Sequence, residues 1–349
     1  MNKSLLHLTA SPHIHSIHST RGVMLDVILA LLPATLAGVF IFGLRALLVI
    51  AVTVGSAVLA EFLFNLAIKK ERTIGDLSAI VTGLLLALNL PANIPLWQAV
   101  VGAVFAIVVV KGCFGGIGKN IVNPAIAARI FMLIAFGSMA SAAMPVNWKA
   151  ILTAPQTVLD TVAGATPLSM LGENAEPPSL LNLFLGNHGG AIGETCVLAL
   201  IIGGIYLLCR KVIMWHLPVS FIGTVFVFTF VLTALEQKEA IANVLNGDAT
   251  LSFAALGTVL LPILVETLTW TFSGGLFIGA IYMATDYVTS PATWSGQILF
   301  GVGCGLLTVV IRSFGSYPEG VSFAILLMNI LTPYIDIWTA RKPFGGAAR

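Results

Sequence analysis

Thr166 has the setting for covalent chemistry. It stands in DTVAGATPLSML, residues 160–171, in a long polar interval of a chain otherwise dominated by apolar runs. Ala163, Gly164 and Ala165 let another molecule approach the backbone closely. Pro167 biases Thr166 toward an extended conformation with its hydroxyl outward. A hydroxyl so placed is an acceptor for covalent modification; the plain alternative is an ordinary loop turn. Asp160 lies upstream in the same interval.

A second set consists of ionisable residues inside apolar runs, where charge is costly and usually functional. Glu61 in VLAEFLFNL, Glu266 in LLPILVETLTW and Asp286 in MATDYVTSP are candidates for an ion path or a cofactor contact, with a structural hydrogen bond as the competing role. Asp26 and Arg129 lie near span ends, where reaching the interface accounts for them. His7, His13, His15 and His18 crowd the first twenty residues without a carboxylate or cysteine beside them, so they read as a polar interfacial arm. Cys113, Cys196, Cys209 and Cys304 form no CxxC pair and read as small buried hydrophobes, with no metal site expected. No Ser-His-Asp set, phosphate-binding loop or dinucleotide fingerprint can be placed, so catalysis by side chains alone is not expected.

The elements that must position these residues are membrane helices. The chain has 349 residues, of which 58% are hydrophobic and 9% charged. Soluble domains carry about a quarter charged residues, so this is an integral membrane protein. Its net charge of +2 gives no reason to expect a nucleic-acid partner. Eleven apolar segments run over 25–43, 46–68, 77–91, 97–113, 121–143, 195–209, 216–235, 253–271, 275–289, 297–312 and 320–339. Those at 77–91, 195–209 and 275–289 are short for a bilayer of about 30 Å, which predicts tilted, broken or re-entrant helices. Lys3, Arg21, Lys69, Lys70, Arg72, Lys111, Lys119, Arg210 and Lys211 put the N-terminus in the cytoplasm and the Thr166 loop on the periplasmic, outer face. Arg341, Lys342 and Arg349 favour a cytoplasmic tail, so one segment is expected not to cross, leaving about ten spans. The expected organisation is an arm at 1–24, a first repeat at 25–144, an outer loop at 145–194, a second repeat at 195–340 and a tail at 341–349.

The two halves resemble each other. GLLLALNLPANIPLW (83–97) is similar to GAIYMATDYVTSPATW (279–294), and FGGIGKNIVNPAIAARI (114–130) to FGSYPEGVSFAILLMNI (314–330). Two five-helix halves with interrupted segments at matching places is a transporter-like, all-α polytopic architecture.

The whole chain resembles the membrane flavoprotein family that includes the D subunit of the Rnf complex and the B subunit of the sodium-pumping NADH:quinone reductase. The resemblance rests on the Asp160 to Thr166 stretch, on SPHIHSIHSTRGVMLDVILALLPA (11–34), on FGGIGKNIVNPAIAAR and on YMATDYVTSP. In that family a D-x-x-S/T-G-A-T pattern directs a flavin transferase, which moves FMN from FAD onto the last threonine as a phosphoester. Here Asp160, Gly164, Ala165 and Thr166 match, and Ala163 departs where the family more usually has Ser or Thr. The resemblance implies covalent FMN on Thr166, a second noncovalent flavin such as riboflavin, and a lipid-embedded place in a six-subunit assembly of the bacterial inner membrane. It implies electron transfer between ferredoxin and NAD coupled to Na⁺ or H⁺ movement, with the nucleotide and iron-sulfur centres on partner subunits. The short N-terminal extension favours the Rnf branch over the quinone-reductase branch. A reading from another class, a passive channel or transporter for small solutes, explains the repeat equally well.

Overall fold

Hydrophobic runs of twenty residues or more form helices because a bilayer offers no partner for an exposed backbone N–H or C=O. The computed structural model of the chain describes residues 19–69, 73–140, 142–146, 163–172, 177–238, 253–315 and 319–340. Asp160, the four histidines of the arm and the basic tail lie outside the described residues. The helices are α1 (Thr20–Phe42), α2 (Leu44–Ile68), α3 (Ser78–Leu88), α4 (Leu96–Val104, continuing as a π-helix over Phe105–Gly112), α5 (Pro124–Ala135), α6 (Pro167–Gly172) and α7 (Leu180–Leu185). There follow α8 (Val197–Cys209), α9 (His216–Glu236), α10 (Phe253–Phe272), α11 (Leu276–Ile278, continuing as a π-helix over Gly279–Met283), α12 (Trp294–Phe314) and α13 (Val321–Thr339). Two-residue strands β1 (Ala142–Ala143) and β2 (Ala163–Gly164) pair antiparallel.

Among the described residues, five helices (α1, α2, α9, α12 and α13) are long and apolar enough to cross a membrane, and the bent pair Leu260–Phe272 with Leu276–Met283 makes a sixth candidate, broken by 58°. The three short segments expected from the sequence are short helices here, and buried irregular backbone lies beside two of them. The 11 residues of α3 rise only about 16 Å. Beyond them the chain runs on without helix, through buried Asn89, Leu90, Ala92 and Ile94, until Ile94 O accepts from Arg45 Nη2 at the start of α2 (3.0 Å). Before α8, residues His188 to Thr195 are buried without being helical. The two irregular stretches satisfy each other: Ile192 N donates to Leu90 O (3.0 Å) and Gly193 N to Leu88 O (2.8 Å). The last part of the polar interval 145–194 is thus a buried plug rather than a surface loop, because its amides are needed by the open end of α3.

Both ends of the described chain lie at one end of the molecule. Thr20 and Val212 line the same cavity as Asp286, the His216 ring lies 6.2 Å from that of Trp294, and Thr293 Oγ1 donates to Thr339 Oγ1 (2.6 Å). The opposite end holds Val146, whose N–H donates to Ile41 O (2.8 Å), and the paired strands. Thr20 and Thr339 therefore lie toward the same end. The repeat is visible in element starts: α5 begins at Pro124 and α13 at Val321, each with a helix start at Leu96 or Trp294 before it. Between the halves, α5 packs on α13, and Asn89 after α3 meets Met283 at the end of the second-half short helix.

Candidate functional site

Two buried polar regions, one toward each end, contain the candidate residues. At the end that holds Thr20, a cavity of about 360 Å³ is walled by α1, α3, α8 and the π-helical stretches, with Ser78, Lys111, Asn120, Asn123 and Asp286 among its polar groups. Asp286 is partly buried and its Oδ2 accepts from Thr289 Oγ1 (3.2 Å). Asn123 is the N-cap of α5, accepting from Ala125 N (3.0 Å), and its amide donates to Met283 O (3.1 Å) at the end of the short second-half helix. This one side chain serves two helix ends, a C-terminal carbonyl and an N-terminal amide, that are otherwise left open in every helix.

Glu61 lies behind the cavity wall. Its Oε1 accepts from Lys111 Nζ (2.9 Å) and from Thr73 Oγ1 (2.7 Å), while its buried Oε2 has no hydrogen-bond partner among the described residues. Lys111 Nζ also donates to Ser78 Oγ (2.6 Å), which in turn donates to Asp76 Oδ1 (2.5 Å). Lys111 is thus a buried ion-pair partner and not the interfacial charge that the loop count assumes. It sits in the π-helical turns of α4, whose extra residue per turn shifts which side chains face inward. Glu266 stands apart on α10, partly exposed, with Glu236 the charged group that acts on it, and it does not join the cavity.

Asp26 and Arg129 are both buried, against the expectation that they reach the interface. Asp26 accepts from Tyr206 Oη (2.9 Å) and from Arg210 Nη2 (3.2 Å), so a carboxylate on α1 is held by α8. This bond raises the guanidinium of Arg210, beyond the end of α8, above its usual range. Arg129 donates to Asn89 Oδ1 and pairs with Glu319 and, at 3.5 Å, with Glu194. A cation thereby meets the C-terminal end of the short helix α3, where the helix dipole favours it. Cys304 is buried as expected, but Cys113 and Cys209 are exposed, because both stand where a helix ends. Lys111, Glu194, Glu319 and Arg312 escape the sequence reading. Each lies at an apparent span end or in an apparent loop, and nothing in the linear pattern marks it as buried.

At the opposite end Thr166 is partly buried and precedes α6, whose first residue is Pro167. Its Oγ1 accepts from Ser169 N (3.1 Å), the capping arrangement, and lies 3.2 Å from Ser169 Oγ. The hydroxyl is therefore tied to its own helix turn and not simply held outward, since proline at the first helical position starts a helix as well as a turn. β1 holds this stretch in place: Ala142 pairs with Gly164, Ala143 with Ala163, and Ala143 also bridges to Gly190 of the buried plug. A Cβ at Gly164 would lie 2.5 Å from Met144 Sδ, so a larger residue there requires the Met144 side chain to move. Ala165 is exposed.

The family model described as the NQR2, RnfD, RnfE family matches residues 7–345. The D subunit of the Na(+)-translocating ferredoxin:NAD(+) oxidoreductase complex of Acetobacterium woodii is 43% identical, covering 99% of this chain and 97% of that protein. The D subunit of the proton-translocating ferredoxin:NAD(+) oxidoreductase complex of Clostridium ljungdahlii is 37% identical, covering 99% and 98%. The D subunit of the ion-translocating oxidoreductase complex of Stutzerimonas stutzeri is 38% identical, covering 95% and 94%. A match of this extent, over both halves and the interval between them, shows that the chain belongs to the NQR2, RnfD, RnfE family.

Proposed function

We propose that this chain is the flavin-carrying membrane subunit of a complex that couples electron transfer between ferredoxin and NAD to cation translocation. The observation that carries the reading is end-to-end similarity to the D subunits of complexes so named, together with the acceptor pattern at residues 160–166. The cation is sodium in one relative's name and the proton in another's. In this reading FMN is joined to Thr166 through its phosphate by a flavin transferase, and the ring supplies the redox chemistry while the protein supplies position and electrostatics. Exposed Ala165 and the small residues before it suit approach by that enzyme. The N-terminal arm faces the cytoplasm, the Thr166 end faces the outside of the inner membrane, and five further subunits complete the assembly.

The second, noncovalent flavin belongs in the 360 Å³ cavity. Its size is in the range of ligand pockets, and its walls are apolar with a few convergent polar groups. Lys111, Asn120 and Asp286 would orient a ring there. Asp286 inside the cavity and Glu61 behind it, joined to it through Lys111, are the stronger members of the ion path; Glu266 is the weaker, lying away from both. Replacing each with its neutral isostere and measuring cation uptake by reconstituted complex tests this, and unchanged uptake removes that residue. For the covalent flavin, the chain produced with a flavin transferase should give a fluorescent band on a denaturing gel that Thr166→Ala abolishes. A dark wild-type band, with the transferase active on another substrate, would overturn the assignment.

A further inference from the structure

Among the described residues, Arg312 is a buried cation without a carboxylate in contact. It stands in the last turn of α12 and is only 7% exposed. Its Nη1 donates to Trp270 O (2.8 Å) and its Nη2 to Ser273 O (3.1 Å), both neutral carbonyls at the end of α10. Its Nε is buried with no partner among the described residues. The carboxylate whose charge it feels, Glu194, is in contact with Arg129, which already has Glu319 as a second anion. Among the described residues, one arginine of this cluster thus has two carboxylates and the other has none.

Arg312 is also next to the acceptor loop. A Cβ on Gly274, in the break between α10 and α11, would lie 3.0 Å from Arg312 Nη2 and 3.8 Å from Leu168 Cδ2, so these two side chains are within about 7 Å of each other. Leu168 is buried in α6, the helix whose first turn Thr166 caps. We propose that Arg312 is the counter-charge for the phosphoryl group carried on Thr166, with its free Nε–H directed to a phosphoryl oxygen. The ligand class is a phosphodiester. That group is bonded to Thr166 itself, two residues before Leu168, whereas the flavin ring sits at the far end of a ribityl chain. A guanidinium suits it because its donors form a fork that matches phosphate oxygens. The inference rests on the proposed flavinylation of Thr166. The rival counter-ion is a carboxylate from outside the described residues, Asp160, Glu173 or Glu176.

The test uses the full chain, purified with and without co-produced flavin transferase, as wild type, Arg312→Gln and Arg312→Lys. The denaturing gel is read first, and a dark wild-type band removes the acceptor and this subsite with it. In labelled wild type, thermal unfolding should shift upward relative to the unlabelled chain, because the buried cation has gained its anion. Normalised to the label each chain carries, Arg312→Gln should lose that increment and show lower flavin fluorescence anisotropy, and Arg312→Lys should keep part of both. A full increment and unchanged anisotropy in Arg312→Gln would overturn the proposal. Should that variant not accumulate, wild type alone decides: no increment on labelling means a carboxylate of the chain already serves Arg312.

Discussion

The residue that most repays close reading is Lys111, because its partner explains a carboxylate that hydropathy alone leaves stranded. Glu61 in the middle of VLAEFLFNL is tolerable only because Lys111 and Thr73 converge on one of its oxygens. Breaking such a pair is far worse than replacing it whole, since the survivor is a buried charge with nothing to balance it. Glu61→Gln should therefore lower stability by roughly 3–5 kcal/mol, read as denaturant or thermal unfolding in detergent. The double variant Glu61→Gln with Lys111→Met should recover most of that loss, and a double variant as weak as the single one would refute the pairing. The carboxylate itself is legible in the sequence as an oddity. Its partner is not, because a lysine at a span end reads as an interfacial charge until the π-helical turns carry it inward.

At the scale of elements, the short helices are held by close backbone approach. Gly203 on α8 meets α1 so closely that a Cβ there would fall on Ala30 O and on the Tyr282 hydroxyl. That hydroxyl lies 3.2 Å from Ala30 O and 3.0 Å from Leu200 O, tying α1, α8 and the second-half short helix together. Gly203→Val should overpack this junction and cost about 1–3 kcal/mol, lowering the thermal unfolding temperature in detergent, whereas valine at Gly223, which has open space about it, should be nearly neutral. Short helices at 77–91, 195–209 and 275–289 are evident from run length alone. What finishes the first two, the pairing of residues 88–90 with 192–193, is invisible in one dimension because a Gly-rich plug has the composition of a surface loop.

For the whole molecule, the shared end of Thr20 and Thr339 ties orientation to measurable chemistry. Exposed Cys113 and Cys209 both lie at the end that holds Thr20: Lys111 beside the first bonds cavity-lining Ser78, and Arg210 beside the second pairs with Asp26 of α1. With the arm in the cytoplasm, a membrane-impermeant maleimide should label both in inverted vesicles and neither in right-side-out cells, and the reverse pattern would invert the proposed topology. Thr166 stands at the far end, away from the 360 Å³ cavity, with the contacts of Asn89 and Arg129 between. In the proposed function, flavins at these two ends would let electrons pass from one end of the chain to the other.

Composition and run length by themselves determined that the chain is a polytopic membrane protein and that three segments are too short to be plain spans, and the likeness of segments 83–97 and 279–294 pointed to related halves. The local pattern at 160–166 singled out Thr166 and, through resemblance, the family. These properties are legible because they depend on transfer energies and local turn chemistry, which act residue by residue. Only the tertiary structure decided which charges are buried together. Lys111 meets Glu61 across 50 positions and Arg129 meets Glu319 across 190. Such pairings are chosen by the low dielectric of the packed interior, where an ion must find its partner, and no window along the sequence contains both members.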